Sequence, residues 1–401
     1  FCYNLIMVIK SCIYNIRTLR MRGLIYFIIV ICFLDLFVQL PVVTPYAMSL
    51  GADEFTASIV VATYSVTNLL GNIIGGYCSD RVGRKKTLLI GMLLQVIIIS
   101  VYVSTPSIPV LIVIRALHGF TSGTLTPAAF SLVQDISRRQ AIGKSMAFTG
   151  VAIGSAAVVG PAMGGIISSK ASYETLYMIL AGIYVLGFLL TAVGTKESST
   201  IESRKQSNET SWTELLKRRS LNVSYLSSLA LMTSMGALSF ALPLKTMELG
   251  LADHVTGALL SVFGITAVII FSTPLNRMYT EVSSIRLIEL GILIITISMI
   301  CIHFATSLTF MYVTLAIYGC GYALIFPSMN KIIGQFANMS ERGKANGIFY
   351  SYFSLGSVVG STLAGYFTTL FGLPFLSMAI IMIALFFILL ILGRNIKFRE
   401  V

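Results

Sequence analysis

Gly76-Tyr-Cys-Ser-Asp-Arg-Val-Gly-Arg-Lys-Lys86 carries charge on Asp80, Arg81, Arg84, Lys85 and Lys86, in a chain where only 11% of residues are charged. An apolar run precedes it, over Ala57 to Tyr77, and another follows, over Thr87 to Val103. That placement reads as a short charged loop between two membrane-crossing helices and not as part of a soluble core. Within it, Gly76 lets two helices approach closely, and Gly83 supplies a turn that no side chain obstructs. Asp80 is an acid placed where a helix N-terminus or an arginine can hold it.

Apolar runs of similar length recur along all 401 residues, 56% of which are hydrophobic, with a mean hydropathy of +0.87. One soluble core cannot bury that much apolar surface, so the chain reads as an integral membrane protein. About twenty residues is the length at which an α-helix crosses a bilayer, whereas barrel strands are half as long and alternate. The expected fold class is therefore an all-α membrane protein with twelve transmembrane helices. They are read over Gly23 to Met48, Ala57 to Tyr77, Thr87 to Val103, Ile108 to Gln134, Ser145 to Ile167 and Leu176 to Val193. The second series covers Leu221 to Met247, Val255 to Phe271, Leu287 to Phe304, Leu308 to Met329, Ala345 to Thr369 and Phe375 to Leu392.

The net charge of +12 does not read as a nucleic-acid surface, because the basic residues mark one side of a membrane. Of the 28 Lys and Arg, Arg115 lies inside a span and Lys170 and Lys245 sit at the opposite face; the other 25 share the side of the Gly76 to Lys86 loop. By the positive-inside rule that side, with both termini, is expected to be cytoplasmic. The six cysteines (Cys2, Cys12, Cys32, Cys78, Cys301, Cys320) are scattered without a CxxC, which argues against a disulfide framework or a metal site. Residues 1–20 hold apolar stretches too short to span, broken by Lys10, Arg17 and Arg20, with no small-residue cleavage site after them. They read as an extension outside the fold, upstream of a natural start at Met21 or Met7.

Shifting the sequence by 200 brings its punctuation into register. Ala52-Asp53 meets Ala252-Asp253, Gly91 meets Gly291, Gly119 meets Gly319, Pro127 meets Pro327, Gly143-Lys144 meets Gly343-Lys344, and Val158-Val159-Gly160 meets Val358-Val359-Gly360. The matches fall on glycines, prolines and loop charges at equivalent points, as expected from duplication of a six-helix unit. The expected organisation is thus two six-helix pseudo-repeats, 21–194 and 221–394, joined by a polar linker at 195–220 and followed by a tail at 395–401. In the linker, Ser211-Trp-Thr-Glu214 reads as a capping box. It opens a short amphipathic helix with Trp212, Leu215 and Leu216 on the membrane and Lys217, Arg218 and Arg219 at the headgroups.

Two packed six-helix units around a midplane site is a transporter geometry, and the opening loop closely resembles a motif of the major facilitator superfamily. That family's pattern between its second and third helices is Gly-x-Leu-Ala-Asp-Arg-x-Gly-Arg-Lys. Gly76, Asp80, Arg81, Gly83, Arg84 and Lys85 match it, while Cys78 and Ser79 replace Leu and Ala. The resemblance implies a conformational gating role for these residues and a cavity lined by helices 1, 4, 7 and 10. In the fourth span, Arg115 and His118 lie one helical turn apart on one face. They resemble the family's Arg-x-x-Gln-Gly motif, associated with proton transfer, with His118 in place of Gln. In the fifth, Gly160-Pro161-Ala162-Met163-Gly164-Gly165 resembles the Gly-Pro-x-x-Gly-Gly motif of members that exchange substrate for protons. Ala147 and Ala156 stand where that pattern has further glycines. A kink at Pro161, with Gly160, Gly164 and Gly165 as a close-packing face, is the mechanical expectation.

Asp35 lies about 20 Å along the first span from Arg22 at ~1.5 Å per residue, close to the bilayer centre. Burial penalises a charged carboxylate, so an acid there is neutral, paired, or used to take a proton from one side and release it on the other. Asp35, Arg115 and His118 are the candidate proton-coupling residues. Arg115 keeps its charge and so tunes a nearby acid or binds an anionic group. Candidate substrate contacts are Phe37, Gln39, Met235, Phe240, Tyr318, Tyr322 and Phe326.

The expected activity is export of a small amphipathic compound in exchange for protons by alternating access. The expected partners are that compound, protons and the lipid bilayer, with no nucleic acid and no cofactor. The chain is expected to be monomeric and to lie in a bacterial cell membrane. Import of a sugar or other nutrient is an alternative that calls for more polar cavity side chains than Asp35, Gln39, Asn68, Arg115 and His118; a ligand-sensing receptor is another. No clustered metal ligands, nucleophile-base pair or phosphate loop supports an enzyme.

Overall fold

The computed structural model describes residues 23–39, 42–52, 54–137, 142–198, 211–251 and 254–394. The N-terminal extension, the tether over 199–210 and the C-terminal tail lie outside the described residues, as do any statements about the termini. Twelve long helices appear among the described residues: α1 (Gly23–Gln39), α2 (Glu54–Arg81), α3 (Arg84–Val101), α4 (Ile108–Ile136), α5 (Ile142–Lys170), α6 (Tyr173–Gly194), α7 (Arg219–Glu248), α8 (His254–Ser272), α9 (Ser284–His303), α10 (Leu308–Phe336), α11 (Arg342–Phe371) and α12 (Pro374–Gly393). Nine of the described helices are long and apolar enough to cross a membrane by length and composition alone.

The other three depart from that rule for separate reasons. The first span is described in two stretches, α1 and a short helix Val43–Ser49, and neither alone is long enough to cross. Pro274 follows α8, and the chain bends by 67° into the short turns that end at Glu281. At 30 residues α11 has ample length, but it is rich in Gly and Ser because it packs closely on both sides. A Cβ on Gly347 would lie 2.7 Å from the Asn72 carbonyl oxygen of α2, and one on Gly360 would lie 2.0 Å from that of Thr233 on α7.

The stretch that opened the sequence is mostly helix and not loop. Gly76 to Arg81 completes α2, Arg84 to Lys86 begins α3, and only Val82 and Gly83 turn the chain. Gly83, at φ 119°, allows this, because a side chain there would be strained.

Helix bounds carry the 200-residue repeat: α4 spans Ile108–Ile136 and α10 spans Leu308–Phe336, with Pro127 and Pro327 inside them. The paired glycines perform the same packing. Cβ atoms on Gly91 and Gly291 would meet Leu125 and Ile325, and those on Gly119 and Gly319 would meet the carbonyls of Tyr64 and Phe263. Along α3, Ile90, Leu93, Leu94 and Ile97 form an exposed apolar stripe at helical spacing while Leu88, Met92 and Gln95 are buried. An apolar face turned outward from a packed bundle is what a lipid surroundings requires, with polar groups confined inside.

The linker helix, Trp212–Lys217, sets Leu215 against protein, where the sequence placed it on lipid, and leaves Leu216 exposed. Leu215 is fully buried, Arg218 pairs with Glu214 and Glu341, and Arg219 donates to the Ile391 and Leu392 carbonyls at the end of α12. Ser211 caps it by accepting from the Thr213 N–H, a shorter reach than the capping box requires.

Candidate functional site

Asp35 on α1 is fully buried and accepts from four donors. Gln39 Nε2 approaches one carboxylate oxygen at 2.6 Å; Gln95 Nε2 at 2.9 Å, His118 Nε2 at 2.9 Å and the Tyr184 hydroxyl at 3.1 Å approach the other. Gln39 also accepts from the Arg115 guanidinium, so Arg115 reaches Asp35 through an amide and not directly. His118 Nδ1 lies 3.0 Å from the Tyr102 hydroxyl. A neutral imidazole with its proton on Nε2 donates to Asp35 and accepts from Tyr102; a second proton at Nδ1 makes Tyr102 the acceptor. The members of this cluster come from α1, α3, α4 and α6, with Tyr102 in the 3-10 turn that ends α3 at the face opposite the basic loop.

The proton-coupling candidates Asp35, Arg115 and His118 are thus brought into one network. Gln39, read as a substrate contact, is a member of it. Tyr64 on α2 joins it through its ring, with the Arg115 guanidinium 4.5 Å from the ring centroid and the His118 ring edge-on at 5.3 Å.

Beside Tyr64 lies a cavity of roughly 90 Å³ between the two series of helices. Its walls come from α1, α2, α4, α7 and α11, and not from α10; Phe33, Asn68, Asn72, Ser122, Tyr350 and Ser354 are among them. Of the sequence-named substrate contacts, none lines it. Phe37 packs against Gly160, Phe240 is exposed beside Gly365, and Tyr318 is fully buried with its hydroxyl 2.8 Å from Ser234 and Met235 beside it. Tyr322 stacks on the buried Phe326 at 5.7 Å, and Phe326 meets Phe130 at 6.3 Å. Helical spacing told which aromatics share a face but not which neighbour that face meets.

On the basic face the two series close against each other. Asp80 accepts from the backbone N–H groups of Gly343 and Lys344, both at 2.7 Å, at the start of α11, where the unpaired amides and the helix dipole favour an anion. The fully buried Arg84 pairs with Asp80 and Asp135 and donates to the Met339 carbonyl at 2.6 Å. Asp135 also pairs with Arg342, and Asn346 donates to Ser131 and Gln134. Lys85 binds the Ala192 and Thr195 carbonyls at the end of α6. Arg81 stays outside this network, exposed over the Tyr77 ring. Gly76 fits because a Cβ there would lie 2.4 Å from the Gly343 oxygen. Asp135 escaped the sequence reading, although a lone acid at the end of an apolar helix was the available signal.

The α5 motif divides differently from its pattern. Helix α5 continues through Pro161. Cβ atoms on Gly160 and Gly164 would collide with Phe37 and Val38 of α1, whereas one on Gly165 meets nothing within 4 Å. Contact of α5 with α8 is made by Gly150 and Gly154, facing Phe271 and Val268. Gly164→Leu should therefore displace α1 at the level of the Asp35 network, with an overpacking cost of about 1–3 kcal/mol or more, and lower turnover more than tenfold. Gly165→Leu is expected to leave turnover unchanged. Equal behaviour of the two variants in a transport assay would show that the α5 to α1 contact is irrelevant.

A family profile described as Major Facilitator Superfamily matches residues 25–244 and 224–398. Multidrug resistance protein 2 of Bacillus subtilis is 25% identical over 374 residues, covering 88% of this chain and 90% of that protein. Inner membrane transport protein YajR of Escherichia coli is 25% identical over 346 residues, covering 84% and 75%. Quinolone resistance protein NorA of Staphylococcus aureus is 21% identical over 349 residues, covering 85% and 88%. The crystal structure of the human organic anion transporter MFSD10 (TETRAN) superposes with a TM-score of 0.80 at 16% identity, over 93% of this chain and 99% of that one, a likeness of fold.

Proposed function

The chain belongs to the Major Facilitator Superfamily and is a multi-pass membrane transporter, not an enzyme, and on that premise we propose that it exports a small amphipathic compound in exchange for protons. The observation that carries this reading is the buried Asp35–His118 pair, fully hydrogen-bonded, with the His118 ring edge-on to Tyr64 of the cavity wall. An acid and an imidazole at bilayer depth are costly to keep unless they do work, and a pair that differs by one proton between two states is the means of coupling. Likeness to proteins named for multidrug and quinolone resistance supports the outward direction.

In the proposed cycle the basic face is cytoplasmic, both termini lie there, and the bacterial cell membrane is the location. Closure of that face by Asp80, Arg84, Gly76 and Gly343 belongs to the state that accepts protons from outside, with Tyr102 the group nearest that side. Protonation of the Asp35–His118 pair shifts Tyr64 at the cavity wall, and opening of the basic face exchanges the proton for the compound. The two halves, 21–194 and 221–394, move as units about the cavity, with the docked linker helix travelling with α11.

Asp80→Lys should remove two charge-assisted hydrogen bonds of about 1.5–3 kcal/mol each and set a cation against Arg84. The expected result is at least a tenfold slower turnover with the same ranking of substrates. A normal rate would reduce the Asp80 contact to a marker of topology. The proposal as a whole is tested in everted membrane vesicles with a pH-sensitive dye and a panel of amphipathic compounds. Some of them must discharge the imposed pH gradient only when this protein is present; failure of every compound would favour a ligand sensor.

A further inference from the structure

We propose that a second cavity, at the end of the second series of helices opposite the basic loop, holds the headgroup of a membrane phospholipid that carries a phosphate and a primary amine. This cavity measures about 260 Å³, close to the roughly 300 Å³ at which small-molecule sites begin. Helix ends frame it: Lys245 and Glu248 of α7, His303 of α9, Thr368 of α11, and Pro374 and Phe375 of α12. Lys245 Nζ lies 3.1 Å from each carboxylate oxygen of Glu248. The lysine side chain is 11% exposed and that of Glu248 67%, so the cation sits inside and the carboxylate at the mouth. The His303 imidazole has both as electrostatic neighbours. An ammonium has three protons and Glu248 takes at most two of them, which leaves at least one for a phosphate oxygen. The positive end of the 20-residue helix α12 favours an anion at the same place. Glu248 then accepts from the amine of the headgroup.

The internal repeat supplies the second support. In the first series the matching corner is packed with tyrosine rings. Tyr102 stacks on Tyr177 at 4.1 Å, and Tyr46 meets Tyr173 at 4.8 Å and Tyr177 at 5.9 Å. Two hundred residues on, their counterparts are Thr246, Ile302, Leu373 and Ser377, all smaller, so the second series has less to fill the same corner. Lys245, Glu248 and His303 stand where the first series has Pro45, Met48 and Val103. The fold therefore builds this corner without ionisable groups when it needs only packing, and their presence beside a cavity marks a polar guest. Around it, Phe304, Leu370, Phe371 and Leu373 remain exposed at the helix ends, where a bilayer has its headgroups and the first carbons of its acyl chains. Those apolar side chains favour a lipid over a free phosphate ester, which has no chains to cover them.

The test adds lipids one at a time to the purified full chain in detergent and reads bound lipid by native mass spectrometry. Phosphatidylethanolamine offers a phosphate and a primary amine, phosphatidylcholine a phosphate and an ammonium without N–H, and phosphatidylglycerol a phosphate with no amine. Glycerophosphoethanolamine is the same headgroup without acyl chains. Phosphatidylethanolamine should bind about fivefold more tightly than either other lipid, the size of one net hydrogen bond, and the soluble headgroup at least a hundredfold more weakly than the lipid. Glu248→Gln should bring phosphatidylethanolamine down to the level of phosphatidylglycerol, and Lys245→Gln should weaken all three lipids at least fivefold. Glu248 is exposed, so its variant keeps the test open should Lys245→Gln fail to fold. Equal binding of the three lipids by the parent chain, or a preference for phosphatidylethanolamine that survives Glu248→Gln, would overturn the proposal. Soluble headgroup bound as tightly as the lipid would also overturn it and assign the cavity to a free phosphate ester.

Discussion

Asp35→Asn is expected to abolish the proposed proton-driven export while the protein still reaches the membrane. The carboxylate takes Gln39 on one oxygen and Gln95, His118 and Tyr184 on the other. An amide keeps the shape but has only one acceptor oxygen, so its NH2 must face the Gln39 amide. Turning Gln39 to accept from it would point the Gln39 NH2 at Arg115. The mismatch costs about 1–3 kcal/mol, which a bundle of this size survives. The loss of titration is not survivable for coupling, because the His118 proton then has no carboxylate to share it. Export driven by a pH gradient should fall to the level of membranes without the protein, whereas substrate exchange without a gradient should persist. Undiminished gradient-driven export by Asp35→Asn would remove Asp35 from the coupling mechanism.

Gly76→Val is expected to hold the basic face open. Its Cβ would lie 2.4 Å from the Gly343 oxygen and 2.8 Å from the Gly347 Cα, and both are backbone atoms that no rotamer change can move. If separation costs the sealed state about 3 kcal/mol, its population relative to the open one drops roughly a hundredfold. The same movement takes Gly343 and Lys344 away from Asp80. Spin labels placed at the exposed Val82 and Met339, on the two sides of this closure, should report a longer distance in Gly76→Val and a short one in the parent chain. Turnover should fall with it. An unchanged distance would mean that α2 and α11 tolerate a side chain between them.

How far the sequence carried these conclusions varied with the physics behind each feature. The spans were legible because lipid demands about twenty apolar residues, and the eleventh, read over Ala345 to Thr369, lies within α11 although close packing replaces many of its apolar side chains with small ones. Asp35, Arg115 and His118 stood out because ionisable groups are rare at bilayer depth, and Arg115 and His118 had to share a helix face. Gln95, Tyr102 and Tyr184 were missed. A single amide or phenol in an apolar run carries little signal, and only the packing of α3 and α6 against α1 brings these groups to Asp35. The sequence did not point to this cavity, for a related reason. Aromatic residues on α7 and α10 were chosen by type, whereas the walls are set by which faces the crossing of α2 and α11 leaves apart, and those carry Asn68, Asn72 and Ser354. The charged stretch at Gly76 was read correctly as a close approach and a turn, yet most of it is helix, because nothing between Gly76 and Arg81 interrupts the hydrogen-bond ladder.

The central claim, that the compound moves outward against an inward proton, is tested most directly in sealed liposomes that hold only the purified chain and a trapped pH dye. With no pH gradient imposed, a gradient of a transported compound should drive protons the opposite way across the membrane, at a rate that saturates with the compound and vanishes in Asp35→Asn. Compound movement at the same rate with no change in internal pH would contradict the account.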